Sequence, residues 1–281
     1  MSNPILSMEG VCLSFKSKRV LDNLTFSVAR GETFGFLGPS GAGKTTTIKL
    51  LTRQLVKDAG RIMLLGRPIE NASDADYERI GILSDTSALY ERMSIEDNLR
   101  FYARVRGKGA GDINRLLERM GLIEDRKTLV KNCSKGMRQR AALLAALIHS
   151  PELLFLDEPT SGLDPAARAE VHKMLAELKE SGTTVFLTTH DMAEAETVCE
   201  RIAILNDGKI VACDAPESLK LRFARNRLTI RTHTRGTVVT TKDAAAASQV
   251  HDLLAAGECL SIHSDESNLE EVFLELTGRE F

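Results

Sequence analysis

The sequence predicts an α/β protein with a smaller α+β appendage, on three observations. A short apolar run, Thr33–Leu37, leads directly into the glycine-rich stretch Gly38–Thr45 and then into a helical segment, Thr46–Leu51. A second apolar run, Leu153–Leu156, ends in two adjacent acids, Asp157 and Glu158. From about Asn226 the pattern changes to short alternating runs separated by helical stretches. Brief apolar runs of this kind suit strands buried on both faces, as in a parallel sheet.

Taken in order, Ile5–Phe15 and Val20–Val28 read as strands of a small antiparallel sheet. Thr33–Leu37 is the next strand, and Gly38, Pro39, Ser40, Gly41, Ala42, Gly43, Lys44 and Thr45 then spell G-x-x-x-x-G-K-T. Strand, loop and helix together are the context a P-loop needs. Its glycines let backbone N–H groups converge on one anion without Cβ clashes, and the helix start adds partial positive charge. Lys44 is placed to reach the β- and γ-phosphates, and the Thr45 hydroxyl to ligate magnesium. A nucleotide with its Mg²⁺ is therefore the expected ligand.

Between Asp85 and Ser150 the pattern is helical. Ser94, with Asp97 three residues on, has the form of a capping box before "IEDNLRFYARVRG". "INRLLERMGL" is a second amphipathic stretch, and "CSKGMRQR" (Cys133–Arg140) precedes an apolar helix read as Met137–His149. After the strand Leu153–Leu156, Asp157 is suited to hold magnesium through its water shell, and Glu158 to polarise a water attacking the γ-phosphate. Two acids after a strand also open ordinary loops. A P-loop in the same chain favours the site reading, because α/β sheets place ligands at the carboxyl ends of their strands. Asp164–Pro165 opens the helix "PAARAEVHKMLAELKE" as N-cap and first helical residue. "TTVFLTTH" is a strand ending at His190, and "RIAILNDGKIVACD" a hairpin turning at Asp207–Gly208. The appendage then reads strand, strand, helix, strand, helix over about 55 residues, marginal alone and stable when docked.

Bulk composition excludes several classes. The 281 residues are 43 % hydrophobic and 27 % charged, as in ordinary folded domains, and the net charge of −2 argues against a whole-protein grip on nucleic acid. Cys12, Cys133, Cys199, Cys213 and Cys259 never form a CxxC pair, which favours reduced thiols over disulfides or zinc. No N-terminal stretch has the regions of a signal peptide, and the longest apolar run, Ala141–Ile148, falls far short of the ~20 residues that span a bilayer. Arg222, Arg225, Arg227, Arg231 and Arg235 form a basic run near the appendage, read as a solvated face or as a contact with lipid head groups or a partner.

The ordered motifs resemble the ATP-binding subunit of ABC transporters over roughly residues 5 to 220. Phe15, 23 residues before Gly38, stands where that family has an aromatic stacking on adenine. Gly38–Thr46 is similar to its first nucleotide motif, which adds Thr46 to the cofactor-binding set. Cys133–Arg140 resembles its signature, Leu153–Glu158 its second nucleotide motif, Ser161–Asp164 its dimer-contact loop, and His190 its switch histidine. The resemblance implies that Ser134, Lys135, Gly136 and Met137 bind the γ-phosphate of an ATP held by a second subunit. Ser134 as a plain N-cap uses the same geometry, so both readings hold together. Lys135 and Met137 replace a usual Gly and Gln, adding a cation and removing an amide donor. Asp85 replaces a usual Gln. It is either a magnesium-side carboxylate, unable to donate when ionised, or a turn or cap Asp.

The resemblance further implies a P-loop NTPase core with a small antiparallel β subdomain and a helical lobe, plus the C-terminal α+β appendage. The expected division is an ATP-binding domain over residues 1–222, its helical lobe at about 86–150, and a small accessory domain over 223–281. Two copies, or one copy and a closely related second ATPase subunit, are expected to close around two ATP molecules. Lys44 carries phosphate charge, Glu158 activates water, His190 senses the γ-phosphate and Asp164 links the two sites. The dimer then drives an integral membrane permease from the cytoplasmic face. The tail "LEEVFLELTG" and "SKGM" resemble exporters of drugs or peptides. An importer ATPase, a soluble ATPase for translation or repair, and a module binding ATP without turnover are the alternatives. A single nucleotide domain, and only 88 residues between Thr45 and Ser134, count against the soluble machines. Glu158 and His190 count against the module.

Overall fold

The computed structural model describes residues 3–84, 89–107, 113–224, 227–234, 236–241, 243–264 and 267–278. Asp85, Arg225 and Arg235 lie outside them. The chain divides into two compact units, one running to Ala215 and one spanning Pro216–Glu280.

In the first unit, β1 (Leu6–Phe15) and β2 (Lys18–Val28) pair antiparallel through the tight turn after Phe15. β3 (Thr33–Leu37) follows, buried at every residue, and runs into the loop before α1 (Lys44–Leu51). β4 (Ala59–Leu64) and β5 (Arg67–Pro68) complete a four-stranded antiparallel sheet of order β2-β1-β4-β5. The one-turn helix α2 (Asp74–Tyr77) carries a full capping box between Ser73 and Asp76. Next come β6 (Ile80–Leu83) and the helical lobe: α3 (Ile95–Val105), α4 (Ile113–Arg119) and α5 (Lys135–Leu147). Ser94 caps α3, but the Asp97 carboxylate accepts the Ser94 hydroxyl at 2.6 Å and not the Ser94 amide, so the expected box is half made.

The chain then alternates between sheet and helix: β7 (Leu153–Asp157), α6 (Pro165–Glu180), β8 (Thr184–Thr189), α7 (Met192–Val198), β9 (Arg201–Asn206) and β10 (Lys209–Asp214). The second sheet has the order β10-β9-β3-β8-β7-β6, parallel except for β10, which returns from β9 through Asp207 and Gly208. Both turn residues have positive φ, 45° and 77°, as a two-residue hairpin turn requires. Phe26 of β2 stacks on Phe34 of β3 at 5.5 Å and packs against Phe36 and Phe186 at 5.4 and 6.0 Å, locking the small sheet to the large one. Each buried ring contributes about 1.5–3 kcal/mol of transfer free energy.

The second unit holds α8 (Pro216–Arg222), β11 (Arg227–Thr232), β12 (Thr237–Thr241), α9 (Ala244–Ala255), β13 (Cys259–Ser264) and α10 (Leu269–Thr277). Its antiparallel sheet has the order β12-β11-β13, with α9 packed on β11 and β13 and α10 on α8. Arg227 and Arg231 are exposed on β11, four residues apart and therefore on one face. All five cysteines are free thiols. Among the described residues, no helix is long and apolar enough to cross a membrane.

Candidate active site

β3, β8 and β7 are neighbours in the parallel sheet, so their carboxyl ends bring three separate stretches of sequence to one edge. β3 delivers the loop 38–43. Gly38 is required there because a Cβ would stand 2.5 Å from the Leu205 carbonyl oxygen. Gly43 adopts φ 114° as the N-cap of α1, and a Cβ would meet Leu21 of β2 at 2.6 Å. The small sheet therefore supports the loop from the side, on the hairpin that carries Phe15. Phe15 itself is 47 % exposed, an open aromatic face at the end of β1. Ser40 and Gly41 are exposed at the loop tip, Pro39 is half-buried, and Ala42 is buried with its amide bonded to the Pro39 carbonyl.

Lys44 is buried, and its ammonium donates to the carbonyls of Gly38 (2.6 Å) and Pro39 (3.3 Å). It also lies 3.6 Å from a Glu158 carboxylate oxygen. Burial holds its pKa below the usual 10.5, an effect that Glu158 and Asp157 oppose. Thr45 donates its hydroxyl to Asp157 Oδ2 at 2.8 Å, and Thr46 follows, half-buried, on the first turn of α1.

Asp157 closes β7 opposite Thr188 of β8, whose hydroxyl donates to Asp157 Oδ1 at 2.5 Å. Glu158 then turns the chain with φ 48°, a left-handed conformation that costs a residue with a side chain about 1–3 kcal/mol. Its amide is held by the Thr188 carbonyl at 3.0 Å and the Thr188 hydroxyl at 3.2 Å. The turn leaves one carboxylate oxygen of Glu158 3.2 Å from His190 Nδ1, at the end of β8, and the other facing Lys44. A carboxylate between an imidazole and an ammonium is equipped to orient water and accept a proton.

The loop 159–164 and helix α7 pack beside this edge. Thr160 donates to the buried Glu194 at 2.6 Å, and Arg168 of α6 pairs with Asp191 at 2.5 Å. Burial raises the Asp191 pKa, but the Glu194 amide and the Arg168 charge outweigh it and hold the carboxyl below its usual 3.8. Asp164 spends one oxygen on the Ala167 amide, capping α6. A cleft of about 420 Å³ lies over the edge, lined by Thr45, Ser84, Lys135, Gln139, Asp157, Glu158 and Ser161.

Ser134 caps α5, accepting the Met137 amide at 3.1 Å, and the helix starts at Lys135, two residues earlier than the apolar run suggested. Ser134 is exposed, while Gly136 and Met137 are half-buried. Of these four residues only Lys135 lines the chain's own cleft, and its ammonium lies so close to Gly162 that a Cβ there would collide with it. The structure thus brings Lys44, Thr45, Asp157, Glu158 and His190 together, and it keeps Ser134 and Met137 out of the cleft lining. Asp85 belongs to residues that are not described. Sequence reasoning missed Thr188, Thr160, Glu194, Arg168 and Gln139. A doubled polar Thr at the end of the apolar "TTVFLTTH" was the one available signal, pointing at Thr188.

Magnesium fits the donors present. One carboxylate and one hydroxyl, both hard oxygens in mutual contact, suit the small protein share that magnesium takes when phosphate oxygens and water complete its shell.

Residues 21–161 match the ABC transporter family. A fluoroquinolones export ATP-binding protein of Mycobacterium tuberculosis is 43 % identical over 92 % of this chain and 87 % of its own length. A daunorubicin resistance ATP-binding protein of Streptomyces coeruleorubidus is 35 % identical over 99 % of this chain and 97 % of its own. Among solved structures, the ATP binding subunit of an ABC transporter superposes with a TM-score of 0.75 at 25 % identity, covering 97 % of this chain and 99 % of that one. The chain belongs to the ABC transporter family, as an ATP-binding subunit of the kind that hydrolyses ATP.

Proposed function

We propose that this chain powers a separate membrane permease that exports drugs or peptides, working as a dimer of two copies or of one copy and a related subunit at the cytoplasmic face. The observation that carries the catalytic part is the grouping at the sheet edge: Glu158 stands 3.2 Å from His190 and 3.6 Å from Lys44. In this reading Glu158 orients and deprotonates the attacking water, with His190 at its side following the γ-phosphate. Lys44 and the amides of the loop 38–43 hold the phosphates, and Phe15 stacks on the base. Thr45 and Asp157 would hold magnesium, whose charge neutralises the phosphate oxygens. Ser134 and its neighbours complete the site of the second copy, and the Asp164 loop lies at the contact. The relatives named for fluoroquinolone export and daunorubicin resistance support the export direction.

The test uses tagged Glu158→Gln protein with ATP and magnesium in detergent-solubilised membranes. Turnover is expected to fall about 100-fold or more with ATP binding retained, and a stoichiometric polytopic membrane protein is expected to co-purify. Hydrolysis near the wild-type rate removes Glu158 from its role. Recovery of soluble partners only, from membranes that contain the bait, removes the permease.

A further inference from the structure

The ladder between β7 and β8 ends at Asp157 and Thr188, one residue before Glu158 and two before His190, and the last backbone tie is the Glu158 amide on the Thr188 carbonyl. Past that bond the two segments carrying Glu158 and His190 diverge, and side-chain contacts are what join them. The direct contact, Glu158 to His190, is solvated: the two side chains are 32 % and 53 % exposed. A second contact joins the same two segments from beneath. Thr160, two residues after Glu158, donates its hydroxyl to Glu194 Oε1 at 2.6 Å, and Glu194 lies four residues after His190. Thr160 is 3 % exposed and Glu194 1 %.

We propose that Glu194 is a positioning residue for hydrolysis, acting through Thr160 to set the distance between Glu158 and His190. A hydrogen bond from a hydroxyl to a buried carboxylate is strong and holds its geometry in a low-dielectric setting. The same oxygen lies 3.4 Å from His172 Nε2 of α6, and Asp191, next to His190, is held by Arg168 of α6. Helix α6 therefore braces the pair from a third side. Packing does not account for the carboxylate: Glu194 Oε2 is buried without a hydrogen-bond partner among the described residues, an arrangement that costs stability. The inference rests on the reading of Glu158 as the residue that orients water.

The experiment measures steady-state hydrolysis of magnesium ATP and thermal unfolding on the purified full-length chain. Thr160→Val keeps the shape and loses the donor. It is expected to lower kcat about tenfold or more, with KM for ATP within about twofold of wild type. Thr160→Ser, which keeps the hydroxyl, is expected to retain kcat. Glu194→Leu removes the acceptor and the orphan oxygen together, and is expected to lose kcat without losing thermal stability. Wild-type kcat in Thr160→Val or Glu194→Leu overturns the proposal, as does a Thr160→Ser chain as damaged as Thr160→Val. Glu158→Gln is run alongside: wild-type turnover in that variant overturns the underlying reading, and its loss beside an active Thr160→Val overturns the positioning role alone.

Discussion

Two helices in this chain begin at loops suited to an anion, and they are built differently. α1 starts after Gly43, which offers no side-chain cap, with a buried lysine as its first residue. α5 starts after Ser134, whose own hydroxyl accepts the Met137 amide, with an exposed lysine as its first residue. At α1 the chain leaves the first-turn amides free of side-chain competition and aims a cation, a hydroxyl and two acids at one spot. At α5 it satisfies the helix start internally and keeps only the hydroxyl proton to offer outward, while Lys135 lines the chain's own cleft. In the proposed dimer, α1 would be a receptor finished within the chain and α5 one to which the second copy brings the ligand.

The strongest way to break this contrast is Lys44→Ala. Hydrogen bonds to charged groups contribute about 1.5–3 kcal/mol, so ATP affinity is expected to fall roughly ten- to a hundredfold, read by nucleotide titration of the full chain. Thermal stability is expected to hold, because burial of the ammonium already opposes its charged form. An unchanged affinity would mean that α1 is no more a finished receptor than α5.

Ser134 sharpens the other half. Ser134→Asp keeps a good helix cap, since Asp caps as well as Ser, but it faces an incoming phosphate with a negative charge. Thermal stability is expected to stay at the wild-type level while turnover falls about tenfold or more, and nucleotide affinity of the isolated chain is expected not to change. Turnover equal to wild type would reduce Ser134 to a cap.

What the sequence made legible follows the same division. Lys44, Thr45, Asp157 and Glu158 stand in contiguous strings whose spacing fixes their geometry, and His190 ends a strand that reads plainly as one. The appendage order of strand, strand, helix, strand, helix was readable from alternation alone. Thr188 and Thr160 were not, because their roles depend on strand register and loop packing: Asp157 meets Thr188 and Thr160 meets Glu194 across more than thirty residues. A slip of one residue in β8 would present a different side chain to Asp157. The capping box at Ser73 and Asp76 was missed because a helix of four residues has no periodicity to read. The start of α5 reads late for a related reason, since the apolar stripe begins after the cap that defines the helix.

The smallest expected effect is a proton linkage at Lys44. Burial holds its pKa below 10.5 in the free chain. Phosphate beside the ammonium favours the charged form and raises that pKa on binding. Between the two values the free lysine is partly neutral and the bound one protonated, so binding takes up a proton and affinity falls as pH rises, by at most about tenfold per pH unit. Calorimetric titration with ATP at a series of pH values below 10.5, in two buffers of different ionisation enthalpy, measures the uptake. Lys44→Arg supplies the control, because a guanidinium stays charged throughout. Greater uptake in wild type than in the arginine variant is the expected result. Equal uptake in both would mean that the buried ammonium of α1 is already fully charged before ATP arrives, and that burial does not set the protonation of this helix start.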